Sequence, residues 1–411
     1  MRHAEDFPGL AGDNPAGKHV AYMDGAACSP VPAPVLDVLV DYYRSMNGEV
    51  GHGYHELGFY ATDAAIRSRQ VLARFVHADP AEIVFTHGAT EALNLVAHGW
   101  AASHLAPGDE IALPISEHHS NILPWQEVAH ATGARLVFMD PNMDGGGFSE
   151  EELECKIGAK TKIVACSHIS HVLGDEYPLR RIADRAHEVG AVTVFDCAQS
   201  LAHRQVDLVE MGADFAAFSG RKSYAPAGAG FLYARRELLV QMRPLLYGDG
   251  IEQEVGEWVT SYKEGRELLE AGVRNPGEMV AFAAALRYME DIGYDEVGKH
   301  ESSLMERFLW GIADNERVKV YGNRESGEGR CSIVSFNYTG IVPASLAKFL
   351  NARGVAVGAG EHGAHLLMGY LGTTGVCRAS FGLQTTEEDV DALVDALGSV
   401  QSDFAKKFVK V

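Results

Sequence analysis

From residue 82 to residue 233 the chain alternates between short, nearly all-apolar segments and longer amphipathic segments. The apolar segments predict strands at 82–85, 110–113, 135–138, 163–166, 192–195, 215–218 and 230–233. Helices are predicted between most of them, for example at 91–102, 121–132, 179–188 and 204–211. Because strands without a polar face are covered on both sides, this pattern predicts an α/β fold with a mostly parallel seven-stranded sheet sandwiched by helices.

The chain is long enough for more than one domain, since 411 residues exceed what a single simple core usually holds. After about residue 245 the strand–helix alternation gives way to a long predicted helix and then to mixed helices and strands. We therefore predict an N-terminal arm over 1–20 and a large domain over 21–275. A smaller α+β domain over 276–411 would include part of the N-terminal segment.

The net charge of −21 excludes nucleic acid and anionic membranes as favoured partners. The six cysteines are scattered without a CxxC pair, which is typical of reduced thiols rather than of a disulfide framework. No signal-peptide pattern opens the chain, and no apolar run is long enough to cross a bilayer. These features predict a cytoplasmic protein.

The segment FSGRKSYAPAGAG, residues 218–230, places Lys222 among glycines, alanines and a proline. Small residues let a bulky planar group approach the backbone closely. A lysine in such a crowded, partly dry site loses its charge more easily than a surface lysine and becomes a nucleophilic amine. Such an amine can hold pyridoxal phosphate as a Schiff base, although a lysine considered alone is more often a surface residue.

Gly88, Ala89 and Thr90 lie directly before a predicted helix. Free backbone N–H groups and the helix dipole make such a position suitable for an anion such as a phosphate monoester. Many strand–helix turns look like this, so the motif alone is weak. Ser219 and Arg221 would add a hydroxyl and a guanidinium to the same phosphate.

Asp196 and His119 follow two further predicted strands, at the edge of the sheet where ligands bind. A carboxylate there can pair with a protonated pyridine nitrogen, and a helix N-cap is the alternative role for Asp196. His119 would stack on a cofactor ring or relay a proton, although a lone histidine is usually structural. No metal site is predicted, because no third ligand lies at a zinc-type spacing from His118 and His119.

Arg378 follows the start of an apolar strand in the predicted second domain. Its planar guanidinium is suited to clamp the α-carboxylate of a substrate through two parallel hydrogen bonds. An ion pair between the two domains explains the same residue equally well.

Seven stretches together resemble one protein family in their order and spacing, from Tyr22 to about Val400. They are YMDGAACSPVP, EIVFTHGATEALNLVA, ISEHHSNILPW, FDCAQSLAH, FSGRKSYAPAGAGFLY, LLEAGVRNPG and VCRASFGLQTTEEDVD. The chain resembles a fold-type I pyridoxal-phosphate enzyme of the aminotransferase class V family, on its cysteine desulfurase and selenocysteine lyase side.

The resemblance implies a role for each candidate residue. Lys222 would form the Schiff base and then act on the substrate Cα, with Asp196 on the pyridine nitrogen. Gln199 would lie near the ring oxygen, and His119 would stack on the ring. The phosphate contacts would be Ala89, Thr90, Ser219 and Arg221, and the substrate contacts Arg378, His52 and His55.

The resemblance also implies partners. The family forms homodimers with residues of both subunits in each active site, so the segments 248–250 and 272–277 would cross between subunits. The substrate would be a small-molecule amino acid, with neither nucleic acid nor membrane involved.

Several residues depart from the family pattern. Aligning 356–368 with the mobile desulfurase loop places Gly363 where the family has its sulfur-attacking cysteine, and none of the six cysteines falls on that loop. Arg221 replaces the histidine before the lysine, and His171 replaces an asparagine near the ring oxygen. Val273 replaces a threonine of the cross-subunit phosphate contact, and His52 replaces an arginine. The residues expected to bind the cofactor largely match the family pattern, whereas those expected to contact the substrate depart from it.

Three reactions can follow removal of the substrate Cα proton by Lys222. Transamination of an amino acid or a derived metabolite is the preferred prediction. Lyase cleavage of a C–S bond or a related β-substituent comes next, and epimerisation of the isopenicillin N epimerase type is third. A catalytically silent paralogue that binds partners in sulfur transfer is a different class, and the retention of Lys222 with Asp196 speaks against it.

Overall fold

The computed structural model describes residues 4–10, 12, 15, 17–51, 53–143, 146–323 and 329–408, with 401–408 described by their backbone alone. Among these residues no helix combines the length and the apolar character that crossing a bilayer requires.

The described residues form strands in three sheets. In chain order the strands are β1 (Ala21–Met23), β2 (Ile83–Thr86), β3 (Glu110–Pro114), β4 (Arg135–Met139), β5 (Thr161–Ser167), β6 (Val192–Asp196), β7 (Phe215–Ser219), β8 (Gly230–Ala234), β9 (Glu252–Val255), β10 (Thr260–Tyr262), β11 (Val318–Tyr321), β12 (Ile333–Tyr338), β13 (Val355–Gly360) and β14 (Val376–Ser380).

Helices cover the sheets and connect most of the strands. In chain order they are α1 (Ala33–Asp41), α2 (Glu56–Phe75), α3 (Ala89–Gly99), α4 (Leu123–Thr132), α5 (Glu150–Lys156), α6 (Leu179–Glu188), α7 (Leu208–Met211), α8 (Arg236–Leu239), α9 (Pro276–Ile292), α10 (Tyr294–Gly311), α11 (Pro343–Asn351), α12 (His365–Tyr370) and α13 (Glu387–Phe408).

The large sheet has the strand order β2-β8-β7-β6-β5-β3-β4. Only β8 runs antiparallel to its neighbours, and the remaining pairs are parallel. All seven predicted strands are present, each within two residues of its predicted bounds. The prediction of a mostly parallel seven-stranded sheet is therefore confirmed.

Both faces of this sheet are buried, which explains why its strands lack a polar face. Side chains alternate between the two faces along each strand. In β2, Ile83 and Phe85 pack into the core beneath α1, α2, α6 and α9, whereas Val84 packs into the core on the α3 and α4 side. The two apolar layers hold the strand ends in register, and the candidate site residues lie at these strand ends.

The second sheet has the order β1-β13-β14-β12-β11. Its first strand comes from the N-terminal segment, because β1 pairs in parallel with β13 through Ala21 and Val355. The N-terminal residues of β1 thus belong to the same sheet as the C-terminal strands, and the division of the chain into domains stays a prediction. The helix α13 packs on this sheet, and Asp389 N donates to the Thr386 hydroxyl at 3.1 Å as a helix cap.

The helix α9 packs on the large sheet rather than leading away from it. Its residues Met279, Phe282 and Met289 are buried in the same core as α1 and α2. The predicted domain boundary at residue 275 stays a prediction, and this packing favours a boundary nearer the start of α10.

Candidate active site

Three strand ends of the large sheet meet where the candidate residues lie. Asp196 is the last residue of β6, and Lys222 follows β7 in a short turn over Gly220–Lys222. The strands β6 and β7 are parallel neighbours, so both residues reach the same edge. The strand β8 begins at Gly230, which pairs with Thr86 on one side and with Ser219 on the other. The N-terminus of α3 is thereby brought to the same edge.

A cavity of about 620 Å³ opens at this edge. Its volume lies within the range usual for small-molecule sites. The predicted residues on its wall are Ala89, Thr90, Asp196, Ser219, Arg221 and Lys222. The strand pattern therefore brought together six of the candidate residues that lie far apart in the sequence.

Lys222 is the half-buried amine of this cavity. Burial lowers the pKa of Lys222 to about 8, although the charge of Asp196 opposes the change, and the charges of Arg378 and Arg221 add to it. An amine with this pKa is partly uncharged at neutral pH, as a nucleophile or general base requires. The Ser29 hydroxyl donates to the backbone carbonyl of Lys222 at 2.8 Å and helps to fix the turn.

Asp196 is a buried carboxylate on the wall of the same cavity. One oxygen, Oδ1, accepts a hydrogen bond from Ala198 N at 2.9 Å. Burial raises the pKa of Asp196, and the positive charge of Lys222 opposes that rise. Gln199 lies behind this wall, where its Nε2 donates to Ala26 O at 2.8 Å. Its Oε1 is buried without a hydrogen-bond partner among the described residues.

The α3 end of the cavity is an uncapped helix N-terminus. Gly88 is the N-cap residue and supplies no side-chain hydrogen bond, so the first N–H groups of the helix are free for an anion. A Cβ placed on Gly88 would lie 3.9 Å from the Ser219 hydroxyl, which shows how close β7 comes to this turn. The Thr90 hydroxyl lies 2.8 Å from the Ser120 hydroxyl. Arg221 adds a cation to the same wall.

The choice of His119 as the ring-stacking residue needs correction. His118, the preceding residue, is the histidine on the cavity wall. His119 is turned toward the loop before α12, where its Nε2 lies 2.9 Å from His365 Nδ1 and the two rings stack. Sequence alone could not separate two adjacent histidines, since which one faces the cavity depends on the turn geometry.

His118 is neutral in this environment. Burial lowers the pKa of its imidazole to about 3, and the charge of Lys222 contributes to the change. His118 Nδ1 accepts a hydrogen bond from Ser120 N at 3.1 Å. Nε2 therefore carries the proton of the neutral ring.

Arg378 lies at the junction of the two sheets and is almost fully buried. Its Nη2 lies 3.3 Å from Asp24 Oδ1, and its Nη1 donates to His171 O at 2.8 Å. Asp24 bridges Ser380 in the sheet that carries Arg378, so this ion pair lies within one sheet. The alternative explanation, an ion pair between the two predicted domains, stays a prediction. His171 is buried between Arg378 and the edge of the His118 ring, 5.0 Å away, rather than on the cavity wall.

His55, one of the two remaining substrate candidates, lies away from the cavity wall of this chain. His55 caps the exposed N-terminus of α2, where its Nδ1 accepts from Gly58 N at 3.2 Å. His52 lies outside the described residues. His55 is exposed, and the contact of both candidates with substrate stays a prediction.

Several cavity residues were missed by sequence analysis. Besides His118 and Ser120 they include Asn94, His87 and Glu91 on or before α3. Glu91 and Asn94 lie in the first two turns of a helix that begins at a predicted anion site, and this position could have identified them. Glu91 holds this end together, because its Oε1 accepts from Arg274 at 2.8 Å and its Oε2 accepts from His87 N at 2.7 Å.

These residues fit pyridoxal phosphate. The free helix N-terminus with Thr90, Ser219 and Arg221 matches a phosphate, and the buried Asp196 matches a protonated ring nitrogen. The unpartnered buried oxygen of Gln199 is suited to accept from a ring hydroxyl. The amine of Lys222 lies within the same cavity and matches the aldehyde.

Comparison with known proteins gives a consistent picture. A sequence model of the aminotransferase class-V family matches residues 21–393. A protein of Halalkalibacterium halodurans named probable cysteine desulfurase is 41% identical over 393 residues, which cover 95% of this chain and 96% of that protein. A protein of the same name from Halobacterium salinarum is 40% identical over 401 residues, covering 97% and 96%.

Solved structures of similar proteins share the fold. The cysteine desulfurase of Thermococcus onnurineus superposes with a TM-score of 0.91 at 34% identity and covers 97% of this chain and 98% of that one. The Escherichia coli cysteine desulfurase CsdA superposes with a TM-score of 0.88 at 31% identity, covering 97% of each chain.

Proposed function

This chain belongs to the aminotransferase class V family, a family of pyridoxal-phosphate enzymes, and we propose that it cleaves the Cβ–S bond of a sulfur-bearing amino acid by β-elimination. The names of its relatives support carbon–sulfur chemistry at the family level. The observation that carries the proposal is the glycine at position 363, whose left-handed backbone and close contact with the His118 ring oppose a sulfur-attacking side chain.

The residues of the cavity suit this chemistry. When bound, pyridoxal phosphate supplies an electron sink for the carbanion at the substrate Cα. Lys222 would hold the aldehyde carbon and, once displaced by the substrate amine, would take the Cα proton on Nζ. Asp196 would keep the ring nitrogen protonated, because its buried charge favours a positive partner.

His118 and Arg378 would orient the substrate. The Nε2 proton of His118 faces the loop that carries Gly363, so it would donate a hydrogen bond to the departing sulfur. Arg378 would bind the α-carboxylate, and Asp24 holds its guanidinium in place. With cysteine as substrate, elimination and hydrolysis would give pyruvate, ammonia and hydrogen sulfide.

Gly363 stands where the family's catalytic cysteine is expected, and its surroundings oppose any side chain. Its φ of +69° is a left-handed conformation that favours glycine. A Cβ at this position would lie 2.7 Å from His118 Nε2. The Gly363 carbonyl also accepts from His119 N at 2.8 Å, which ties the loop to the cavity wall. Together these contacts support sulfur release without a protein persulfide.

The positions of the six cysteines also support sulfur release without a protein persulfide. All six are free thiols, and none lies on the cavity wall. Cys28 is the cysteine to test, because it is exposed and its neighbour Ser29 hydrogen-bonds the Lys222 carbonyl.

A product panel tests the proposal. The purified enzyme is incubated with cysteine, cystine and sulfur-free amino acids, and pyruvate, alanine, sulfide and pyridoxamine phosphate are measured. From cysteine we expect pyruvate and sulfide in equal amounts, because elimination releases the sulfur and hydrolysis then releases the amine. From cystine we expect pyruvate and cysteine persulfide, which yields sulfide only after reduction by an added thiol. The variant Cys28→Ser should release both products at the wild-type rate.

The panel also contains the outcomes that would overturn the proposal. Alanine with a thiol-dependent release of sulfur would indicate a persulfide mechanism, and its loss in Cys28→Ser would place the persulfide on Cys28. Accumulation of pyridoxamine phosphate with a keto acid would indicate transamination, the reaction preferred from the sequence. Transamination and epimerisation stay predictions, and a catalytically silent scaffold is set aside because the relatives of the chain are named as enzymes.

We further propose that two copies of the chain complete each active site. Tyr54 and Trp258 are each 92% exposed, and Val273 is 81% exposed. We infer that these exposed apolar side chains belong to one interaction surface, since contiguous apolar patches mark such surfaces. The surface adjoins the cavity, since Asn275 Nδ2 donates to the carbonyl of the cavity residue Gly228 at 2.9 Å. The outward-facing segment that carries His55 would thus reach the partner's cavity.

Substitution of Trp258 by Glu should shift the protein from dimer to monomer and lower its activity. A charge at the centre of an apolar interface opposes association. The mass in solution is measured by light scattering coupled to size exclusion. Trp310→Glu is the matched control, because Trp310 is 84% exposed but lies on α10. A wild-type protein that is monomeric at micromolar concentration would contradict the proposal.

A further inference from the structure

A second cluster of chemically active side chains lies away from the cavity. His203, Glu301 and Cys331 are all buried, with exposed fractions of 5%, 2% and 2%. One ligand atom from each lies within 4.8 Å of the other two. His203 is in the loop after β6, Glu301 is on α10, and Cys331 lies just before β12. The cluster therefore joins the large sheet to the C-terminal elements.

The His203 side chain is hydrogen-bonded to both Glu301 and Cys331, yet one acceptor of the cluster is left over among the described residues. His203 Nδ1 lies 2.7 Å from Glu301 Oε1, which is the distance of a hydrogen bond between the imidazole and the carboxylate. Glu301 Oε2 is buried without a hydrogen-bond partner in the described part of the chain. A buried carboxylate oxygen left in this state is costly. A cation that the carboxylate, the imidazole and the thiol all reach would satisfy the three groups at once.

We propose that His203, Glu301 and Cys331 form a zinc site. Thiolate, imidazole and carboxylate are the donors that Zn²⁺ uses, whereas Mg²⁺ and Ca²⁺ prefer oxygen donors alone. Bonds of about 2.0–2.3 Å would place the three donor atoms about 3.3–3.8 Å apart. His203 Nδ1 and Glu301 Oε1, now 2.7 Å apart, would move away from each other, and donor atoms as far apart as 4.8 Å would approach. The thiolate and the carboxylate together balance the charge of the ion.

The fourth position of the site has its own support. A cavity of about 10 Å³ adjoins Glu301 and Cys331, which is room for about one water molecule. Arg330 lines the same cavity, and its Nε and Nη1 have no acceptor among the described residues. A zinc-bound water or hydroxide would supply that acceptor. Three protein donors and one water make the four-coordinate geometry usual for zinc.

The neighbouring arginines do not exclude a cation, because each already faces a carboxylate. Arg204 Nε donates to Glu176 Oε2 at 2.9 Å, and its other nitrogens donate to the carbonyls of His203 and Arg330. Arg330 lies beside Asp175, whose charge acts on it. The charges of Glu301 and Cys331 also act on Arg204, so the ion would share these two anionic groups with that guanidinium.

Metal content of the intact enzyme tests the site. The full-length protein with its cofactor is loaded with zinc, passed through a desalting column and analysed by mass spectrometry for zinc per chain. We expect about one zinc per chain in the wild type and at least about a tenfold lower content in Cys331→Ser, because the thiolate is the strongest donor. Glu301→Gln keeps the shape of the side chain and should lower the content as well. Cys377→Ser, another buried cysteine, is the matched control and should keep its zinc.

Cobalt gives a second measurement that does not depend on activity. Cobalt bound in a tetrahedral site with a thiolate shows visible d–d bands, which should be present in the wild type and absent in Cys331→Ser. Zinc content equal in the wild type and in both Cys331→Ser and Glu301→Gln would overturn the proposal, as would wild-type protein without zinc. Because both measurements count bound metal, their result is independent of whether the proposed lyase activity is found.

Discussion

Replacing Lys222 with Ala is expected to lower kcat by at least about 10³-fold, since a positioned general base alone contributes about 10²–10⁴-fold. The substitution removes both the group that would hold the cofactor and the group that would take the Cα proton. The visible-edge absorbance of the bound cofactor should be lost at the same time. Steady-state kinetics and an absorbance spectrum of the purified variant measure the two effects.

The pH dependence gives this prediction a sharper form. Burial lowers the pKa of Lys222 to about 8, so the amine is mostly protonated below that pH and mostly free above it. Only the free amine attacks an aldehyde. The rate at which cofactor-free protein takes up pyridoxal phosphate should therefore rise about tenfold per pH unit below pH 8 and level off above it. A rate that kept rising to the usual lysine pKa would contradict the lowered value.

A matched lysine controls for general effects of charge and stability. Lys156 is half-buried, and its Nζ donates to Phe138 O at 2.8 Å, away from the cavity. Lys156→Ala should keep the absorbance and the activity of the wild type. If Lys222→Ala retained the absorbance band and its turnover, the assignment of Lys222 would be wrong.

The sheet was predictable because its strands obey local rules. Apolar residues on both faces mark a covered strand, and glycine or polar residues mark its ends, so 192–195 was placed within one residue of β6. The long-range partners were less accessible. Nothing local in Ala21–Met23 indicates that it pairs in parallel with β13, more than 330 residues away, because the pairing partner of an edge strand depends on the whole topology.

The candidate site was predictable where a residue directly follows a strand. Asp196 and Lys222 reach one edge because their strands are parallel neighbours. The position of His118 relative to His119 was not predictable, since a hydrogen bond from Ser120 N and the packing against Gly363 orient the His118 ring. Contacts made by side chains across different loops are set by tertiary packing, and they leave no periodic signal in the sequence.

Gly230→Ala is expected to destabilise the fold by about 3 kcal/mol and to weaken cofactor retention. A Cβ on Gly230 would lie 2.3 Å from Gly88 Cα and 2.7 Å from Phe218 O. Both contacts are backbone atoms, so no side-chain rotation relieves them. The strands β2 and β8 would have to separate, and Gly88 would move with the N-terminus of α3. The free energy of unfolding is measured by urea denaturation, and cofactor retention by absorbance after dialysis.

The control for this prediction is a glycine with open space around it. No heavy atom lies within 4 Å of a Cβ built on Gly158, and its φ lies outside the left-handed region. Gly158→Ala should therefore match or slightly exceed the wild-type stability, because alanine restricts the unfolded chain. If Gly230→Ala were as stable as Gly158→Ala and kept its cofactor, the close approach of β8 to the phosphate end of the cavity would not be what shapes this site.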